Sequence, residues 1–124
     1  MIKIIVGTNR KNSVSKTIAS LYQSILLEKG FDSEILELEN LPADFVETAL
    51  YENNGKNPGY NEFHDRVKAG KKFVFIVPEY NGSFPGVLKT FIDGMTYPNT
   101  FRNKKCALVG ISSGIGGGGI ALSH

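Results

Sequence analysis

Four short apolar runs punctuate the sequence, separated by longer segments of mixed polarity. Three of them, Ile2 to Val6, Phe73 to Val77 and Cys106 to Ile111, are almost continuously hydrophobic. Such runs are typical of strands that helices cover on both faces of a parallel sheet, and the run at Phe73 is hydrophobic enough to be central. The fourth run, Ser33 to Leu38, alternates between apolar and polar positions, which favours a strand nearer the sheet edge.

Helical periodicity fills the segments between these runs. A helix is predicted from Ser13 until Gly30 ends it, a second over Asn61 to Ala69, and a third with Pro85 in its first turn. Residues 43–61 are rich in turn-forming Asn, Pro and Gly, so we expect an exposed, mobile excursion with at most a short helix over Ala43 to Tyr51. The apolar faces of the three helices are Val14, Ile18, Leu21, Tyr22 and Ile25; Phe63 and Val67; and Val87, Leu88, Phe91, Ile92 and Met95.

Strands that alternate with helices predict an α/β fold, with a doubly wound parallel sheet and right-handed crossovers. Ligands of such sheets bind at the carboxyl ends of the strands. Three loops are expected at that edge, namely residues 7–15, 78–86 and 112–119.

The first of these loops joins a strand to the N-terminus of a helix, where free backbone N–H groups and the helix dipole favour an anion. Hydroxyl groups of Thr8, Ser13 and Ser15 add donors, and Arg10 adds positive charge. A helix cap formed by Ser13, with Arg10 in solvent, explains the same residues equally well. The loop has neither the three glycines of the dinucleotide fingerprint nor the Gly-Lys-Ser/Thr ending of a P-loop, so a phosphate monoester fits best.

The second loop, Pro78 to Gly86, combines an aromatic ring, an amide and a glycine that permits close backbone approach. This composition suits a flat heteroaromatic ring. An ordinary turn around Asn81-Gly82, with Tyr80 and Phe84 packed into the core, is the alternative interpretation.

Three segments together resemble the NADPH-dependent FMN reductases, a family of quinone, azo-dye and chromate reductases with a flavodoxin-like fold. Two positions depart from the family's usual pattern: Thr8 stands where serine is common, and Ser15 where asparagine is common. Both keep their hydrogen-bonding capacity. The segments are Gly7-Thr8-Asn9-Arg10 with Ser13, Pro78 to Lys89 with Asp93, and Ser112-Ser113-Gly114 with Gly116-Gly117-Gly118.

The resemblance implies FMN as cofactor and NADPH or NADH as reductant, with hydride passing through the flavin to FMN, a quinone or another small acceptor. It assigns the phosphate to Thr8, Arg10, Ser13 and Ser15, with Val14 beside them. It implies no catalytic side chain, because the flavin carries the chemistry. The expected contacts of the flavin ring are Pro78, Glu79, Tyr80, Asn81, Gly82, Ser83, Ser113, Gly114 and Gly116.

The sequence is shorter than the domains of this family, which continue through another helix, a fifth strand and a final helix. We therefore expect residues 1–124 to form a single flavodoxin-like FMN-binding domain that lacks the fifth strand and the last helix. The strand at Cys106 to Ile111 would then be a sheet edge with uncovered apolar surface, which favours a homodimer or higher oligomer. A fragment that binds FMN weakly or not at all stays an alternative.

Composition and spacing weigh against other classes of function. A net charge of +2 does not favour nucleic acid, and neither a signal peptide nor a long apolar stretch is present, which predicts a cytoplasmic protein without a membrane partner. His64 and His124 lack the spacing of metal ligands, and His64 is expected at the surface. Cys106, the only cysteine, is expected to be a small buried hydrophobe.

A serine hydrolase and a non-catalytic electron carrier are the two alternatives to the reductase. Gly110 to Gly114 matches the G-x-S-x-G elbow of serine hydrolases, but no acidic residue follows it and His124 is the last residue, so the required order of residues fails. A non-catalytic FMN electron carrier would use the same fold and cofactor. Such carriers are typically acidic, so the mildly basic chain favours the enzyme.

Overall fold

The computed structural model describes all residues from Met1 to His124. Its centre is a sheet of four parallel strands in the order β2-β1-β3-β4. This order matches the first four strands of the flavodoxin-like arrangement. The strands are β1 (Ile2–Val6), β2 (Ser33–Glu37), β3 (Lys72–Pro78) and β4 (Lys105–Ile111).

Helices lie on both faces of the sheet, which confirms the doubly wound α/β prediction. None of them is long and apolar enough to cross a bilayer. The second predicted helix begins three residues earlier than expected, at Pro58. The third begins at Gly86, so Pro85 is its N-cap residue and does not belong to its first turn. The helices are α1 (Val14–Glu28), α2 (Phe45–Thr48), α3 (Pro58–Lys68), α4 (Gly86–Asp93) and α5 (Gly119–Ser123).

Alternation of side chains along the strands divides the core into two layers. On one face, Ile4 and Ile76 pack with Ala19 of α1. On the other face, Ile5 and Phe73 belong to a larger cluster that receives the apolar sides of α3 and α4. Within it, the rings of Phe63 and Phe91 meet edge to face with centroids 5.6 Å apart, a favourable aromatic geometry.

The apolar face predicted for α1 is only partly the buried one. Val14, Leu21 and Ile25 are all exposed, whereas Ser15 and Ala19 are buried. The helix approaches the sheet along these two small side chains, and the larger hydrophobes flank the contact or point outward. Side-chain size at the contact, which helical periodicity alone does not register, therefore sets the rotation of α1.

Residues 43–61 are not the exposed excursion that their turn-rich composition suggested. Phe45, Ala49 and Leu50 are buried in the larger core layer. The Phe45 ring stacks on the ring of Tyr60, with centroids 5.7 Å apart, and the Tyr60 hydroxyl donates to the carbonyl of Phe91 at 3.0 Å. This segment is thus part of the packed structure, held by aromatic residues spaced too irregularly to show a period.

The β4 strand is the least covered part of the sheet. Its first four residues are exposed, Cys106 among them, so the prediction of a buried cysteine was wrong. A sheet residue is buried only where elements cover both faces, and no helix lies over the first half of β4. Within residues 1–124, β4 is the exposed edge strand of the sheet.

Candidate functional site

Direct hydrogen bonds bring the three predicted loops together at the carboxyl edge of the sheet. The Thr8 hydroxyl of the first loop lies 2.7 Å from the hydroxyl of Tyr80 in the second. Ser112 of the third loop donates to the Glu79 carboxylate at 2.9 Å, and the Glu79 N–H donates to the carbonyl of Ile111 at 2.8 Å. The convergence of the loops, predicted from parallel pairing, is therefore confirmed.

The first loop begins with a close backbone approach. The Gly7 N–H donates to the Ile76 carbonyl at 2.8 Å, and a Cβ at this position would lie 2.8 Å from the same oxygen. Real Cβ atoms do not come that close to a carbonyl, so only glycine fits without displacement of β3. Asn12, further along the loop, has a φ of 51°, a left-handed conformation that asparagine tolerates.

Ser13 caps α1, as one of the two sequence interpretations proposed. Its side chain accepts from the N–H of Lys16 at 3.2 Å. This cap satisfies one donor of the first helical turn and leaves the N–H groups of Val14 and Ser15 without an intrahelical acceptor. The cap and an anion site are consequently compatible, because they use different donors of the same helix end.

Charge at this helix end is available for a ligand. Arg10 is exposed and takes part in none of the ion pairs of the protein. Together with the positive end of the helix dipole, it makes the entrance of α1 electropositive.

Thr8 has a different position from the other polar residues of the loop. It is buried, and its hydroxyl accepts from the Arg10 N–H at 3.2 Å in addition to its contact with Tyr80. It does not line the cavity described below. Thr8 thus connects the first and second loops from a buried position outside the cavity wall.

The second loop is built around a tight turn. Tyr80 and Ser83 exchange both backbone hydrogen bonds, at 2.8 and 3.1 Å, and the two central residues, Asn81 and Gly82, have φ values of 52° and 76°. Two positive φ values define a type I′ turn, for which Asn-Gly is the preferred pair. The turn uses the N–H groups of Tyr80 and Ser83, so those of Asn81 and Gly82 are the ones left without a backbone acceptor.

The third loop folds back over the end of β4. Gly117 and Gly118 have φ values of 58° and 79°, and a Cβ on Gly118 would lie 2.8 Å from the Ile111 nitrogen. Ser113, Gly114 and Gly116 are exposed. The N–H of Gly114 donates to the Ser112 hydroxyl at 3.0 Å, whereas those of Ser113 and Gly116 have no backbone acceptor.

A cavity of about 260 Å³ lies between the first loop and the Tyr80 turn. Six of the predicted cofactor residues line it, while Thr8, Glu79, Asn81 to Ser83, and the third-loop residues lie outside its wall. Lys11, Asn12 and Ile111 also line it and were not predicted. The predicted residues in the wall are Arg10, Ser13, Val14, Ser15, Pro78 and Tyr80.

The signals for the missed residues differ. Asn12 could have been predicted to shape the loop, because asparagine is one of the few residues that adopt the left-handed conformation in such a loop. The exposed Lys11 and the strand residue Ile111 had none. Ser112 belongs to the predicted third loop but was not among the predicted flavin contacts, although its hydroxyl contacts Glu79 of the second loop and Gly114 of the third.

The two histidines lie apart from this cavity. His64 is half-buried, and its Nε2 accepts from the hydroxyl of Thr96 at 2.8 Å and from the Thr96 N–H at 3.3 Å, so the prediction of a surface residue was wrong. His124 contacts the Ser83 hydroxyl at 2.7 Å. Neither histidine contacts Ser112, and the hydroxyl of Ser112 is committed to Glu79. The hydrolase alternative therefore has no base next to its nucleophile.

A parallel sheet of this strand order, with the N-terminus of a helix and an aromatic turn at its carboxyl edge, is typical of a flavodoxin-like α/β protein. The family model for NADPH-dependent FMN reductases matches residues 1–124. The chain belongs to this family.

Individual relatives agree with the family assignment. The chain is similar to an NAD(P)H:quinone oxidoreductase from Solanum tuberosum, with 31% identity over 90% of this chain and 58% of the relative. It is also similar to a 2-hydroxy-1,4-benzoquinone reductase from Burkholderia sp, with 29% identity over 99% of this chain and 66% of the relative. The chain thus spans between about three-fifths and two-thirds of the length of these relatives.

A solved structure extends the likeness to three dimensions. It is FerB, a flavoenzyme NAD(P)H:(acceptor) oxidoreductase from Paracoccus denitrificans, which superposes with a TM-score of 0.76 at 27% identity. The superposition covers 98% of this chain and 66% of that one.

Proposed function

We propose that residues 1–124 form an FMN-binding unit of an NAD(P)H-dependent oxidoreductase that reduces a small acceptor such as a quinone. One observation carries this proposal: the cavity places the free N–H groups at the start of α1 next to an aromatic turn. An anion donor set beside an aromatic platform is the arrangement that a flavin with a terminal phosphate requires.

The phosphate end of FMN fits the start of α1. The N–H groups of Val14 and Ser15 lack intrahelical acceptors, Arg10 has no ion-pair partner, and the Ser13 and Ser15 side chains line the same wall. We assign the phosphate to these four residues. Thr8 would act indirectly in this proposal, by fixing Tyr80 and the Arg10 N–H.

The ring end of FMN would lie between the second and third loops. The N–H groups of Asn81, Gly82, Ser113 and Gly116 have no backbone acceptors, and such donors suit the carbonyl oxygens and ring nitrogens of an isoalloxazine. When bound, FMN supplies the hydride-transfer chemistry, and the chain's own residues hold and orient it. We therefore assign no catalytic side chain.

The choice of acceptor comes from the relatives, which are named as quinone reductases and as an azoreductase. We propose a quinone as the first acceptor to test, with NADPH and NADH both tried as reductants. Because the reductant is a coenzyme of the cell interior, we also propose the cytoplasm as the compartment, which fractionation of cells would check.

The experiment is a turnover assay on purified protein supplied with FMN. Oxidation of NADPH, followed by the loss of absorbance of the reduced nicotinamide, should require both FMN and 1,4-benzoquinone. Oxidation only after addition of a separate reductase would contradict the enzyme and favour an electron carrier. Absence of any FMN-dependent change would contradict the proposal as a whole.

We also propose that the chain associates with a second copy of itself. In support, β4 is a sheet edge with one side unpaired, and Leu108 on this strand is 51% exposed. Sedimentation at micromolar protein should give a dimer or a larger species. A single monomeric species would contradict this part of the proposal.

A further inference from the structure

Two flavin-facing loops are connected by a small hydrogen-bond cluster, which we call the Glu79–Ser112 bracket and which consists of Glu79, Ser112 and Gly114. Ser112 Oγ lies 2.9 Å from Glu79 Oε2, and the Gly114 N–H donates to Ser112 Oγ at 3.0 Å. The Glu79 N–H donates to the Ile111 carbonyl at 2.8 Å. Glu79 is therefore fixed to the end of β4 through both its backbone and its side chain.

The directions of these hydrogen bonds follow from the groups themselves. An ionised carboxylate only accepts, so the Ser112 hydroxyl must donate its single proton to Glu79. Its oxygen is then free to accept from the Gly114 N–H, as the 3.0 Å contact indicates. Glu79 has no ion-pair partner in the protein, so this serine is the side chain that solvates its carboxylate.

The third loop has few side chains of its own to hold it in place. Five of the eight residues from 112 to 119 are glycine, and glycine has neither a side chain to pack nor a restricted backbone. The hydrogen bond from Ser112 to Glu79 is the side-chain hydrogen bond that joins this loop to another segment. Removal of the hydroxyl would release both the carboxylate and the Gly114 N–H.

We propose that Ser112 is a positioning residue that sets the third loop against the Asn81-Gly82 turn, and thereby aligns the donors that meet the flavin ring. The proposal rests on the proposed FMN function of this edge. Ser112 touches neither reductant nor acceptor in this account and acts through Glu79 and Gly114. The hydrogen bond, and not the charge of Glu79, is what aligns the loop.

The first arm of the test uses the protein without FMN, so it is independent of cofactor binding. Hydrogen exchange of the Gly114 amide, measured by NMR, should accelerate severalfold in Ser112→Ala, because the amide loses its acceptor. Ser112→Thr, which keeps the hydroxyl, should preserve the wild-type rate. Ser24→Ala is the matched control, since the Ser24 hydroxyl donates only to the Ser20 carbonyl on the exposed side of α1. Unchanged Gly114 exchange in Ser112→Ala would overturn the proposal.

The second arm measures the Kd of FMN in a double-mutant cycle. Ser112→Ala and Glu79→Ala should each weaken binding about tenfold, and the double variant should be no weaker, because both remove the same hydrogen bond. Glu79→Gln should stay within about threefold of wild type, since its amide oxygen still accepts from Ser112. Additive losses, or equal losses in Glu79→Gln and Glu79→Ala, would overturn the proposal. If wild type binds no FMN, the proposed function fails and the exchange arm alone decides on the bracket.

Discussion

The two ends of the sheet use polar residues in opposite ways. At the amino end, Lys3 is buried and paired with Glu34, which also accepts from Arg66 Nε at 2.8 Å. At the carboxyl end, Arg10 has no partner, and the N–H groups of Asn81 and Gly82 have no backbone acceptor. Charges satisfied within the protein stabilise the fold, whereas unsatisfied donors at an exposed edge are available for a ligand. Substitutions at the two ends should therefore separate stability from binding.

The largest expected effect is on binding at the carboxyl end, with Ser13→Asp. Aspartate is as good a helix cap as serine, so the free energy of unfolding should hardly change. Its charge would lie next to the proposed phosphate, and like charges about 4 Å apart near a protein surface repel by about 4 kcal/mol. The Kd of FMN, measured by fluorescence titration, should rise by about two to three orders of magnitude.

The matched control for this variant is Asn57→Asp, which adds the same charge at the cap of α3, where the Asn57 side chain accepts from the Tyr60 N–H at 3.1 Å. It should leave the Kd of FMN unchanged. A comparable loss of affinity in both variants would mean that net charge, and not the start of α1, determines binding.

The second effect in size is on stability at the amino end, with Glu34→Gln. Glu34 is half-buried, but its partner Lys3 is buried, so the loss of a charge-assisted hydrogen bond that leaves Lys3 without its counter-ion should cost about 2 kcal/mol. Urea unfolding should show this loss, while the Kd of FMN stays at the wild-type value. Glu62→Gln, on the exposed side of α3, is the control and should change neither quantity.

The same variant has a defined pH dependence. Partial burial acts to raise the pKa of Glu34, but the hydrogen bonds and charges of Lys3 and Arg66 outweigh burial and hold the pKa below its ordinary value of 4.5. The stability from this lowered pKa is present above pH 4.5 and is lost as the pH falls through the folded-state pKa. The difference between wild type and Glu34→Gln should shrink over that range. A difference that grows on acidification would contradict the ion-pair account.

Arg10→Ala should give the third effect, again on binding. A hydrogen bond between an arginine and a phosphate contributes about 2 kcal/mol, so the Kd of FMN should rise about thirtyfold. The salt dependence of the Kd should weaken as well, because one positive charge is removed. Arg102→Ala, in the loop before β4, serves as the control. Equal losses in both arginine variants would argue against a specific role for Arg10.

Tyr80→Phe should give the smallest effect, and it tests the contact between the first two loops. The buried Thr8 hydroxyl loses its partner at 2.7 Å, which should cost about 1 kcal/mol of stability and weaken FMN binding severalfold. Tyr51→Phe is the control, since Tyr51 is 76% exposed. Full retention of stability and affinity in Tyr80→Phe would show that the hydroxyl pair is dispensable.

Local sequence patterns predicted most of the strands and helices and the edge of the sheet at which the candidate site lies. Continuous apolar runs identified the strands, and parallel pairing then implied that the three loops share one edge. The Asn81-Gly82 turn was also predictable, because few residues other than asparagine and glycine tolerate two consecutive positive φ values.

The parts that sequence could not predict depend on contacts between distant segments. Lys3 pairs with Glu34 because the two residues are aligned by the register of β1 and β2, which no local pattern encodes. The same holds for Ser112 with Glu79, which are 33 residues apart. Cys106 was misjudged for a related reason, since its burial depends on an element that would have to cover β4.

The most direct test of the account compares FMN with riboflavin, which lacks the phosphate, in fluorescence titrations of this chain. If the start of α1 and Arg10 hold the phosphate, FMN should bind at least about a hundredfold more tightly than riboflavin, as expected for two or more charge-assisted hydrogen bonds. Equal affinities for the two flavins, or no binding of either, would contradict the account.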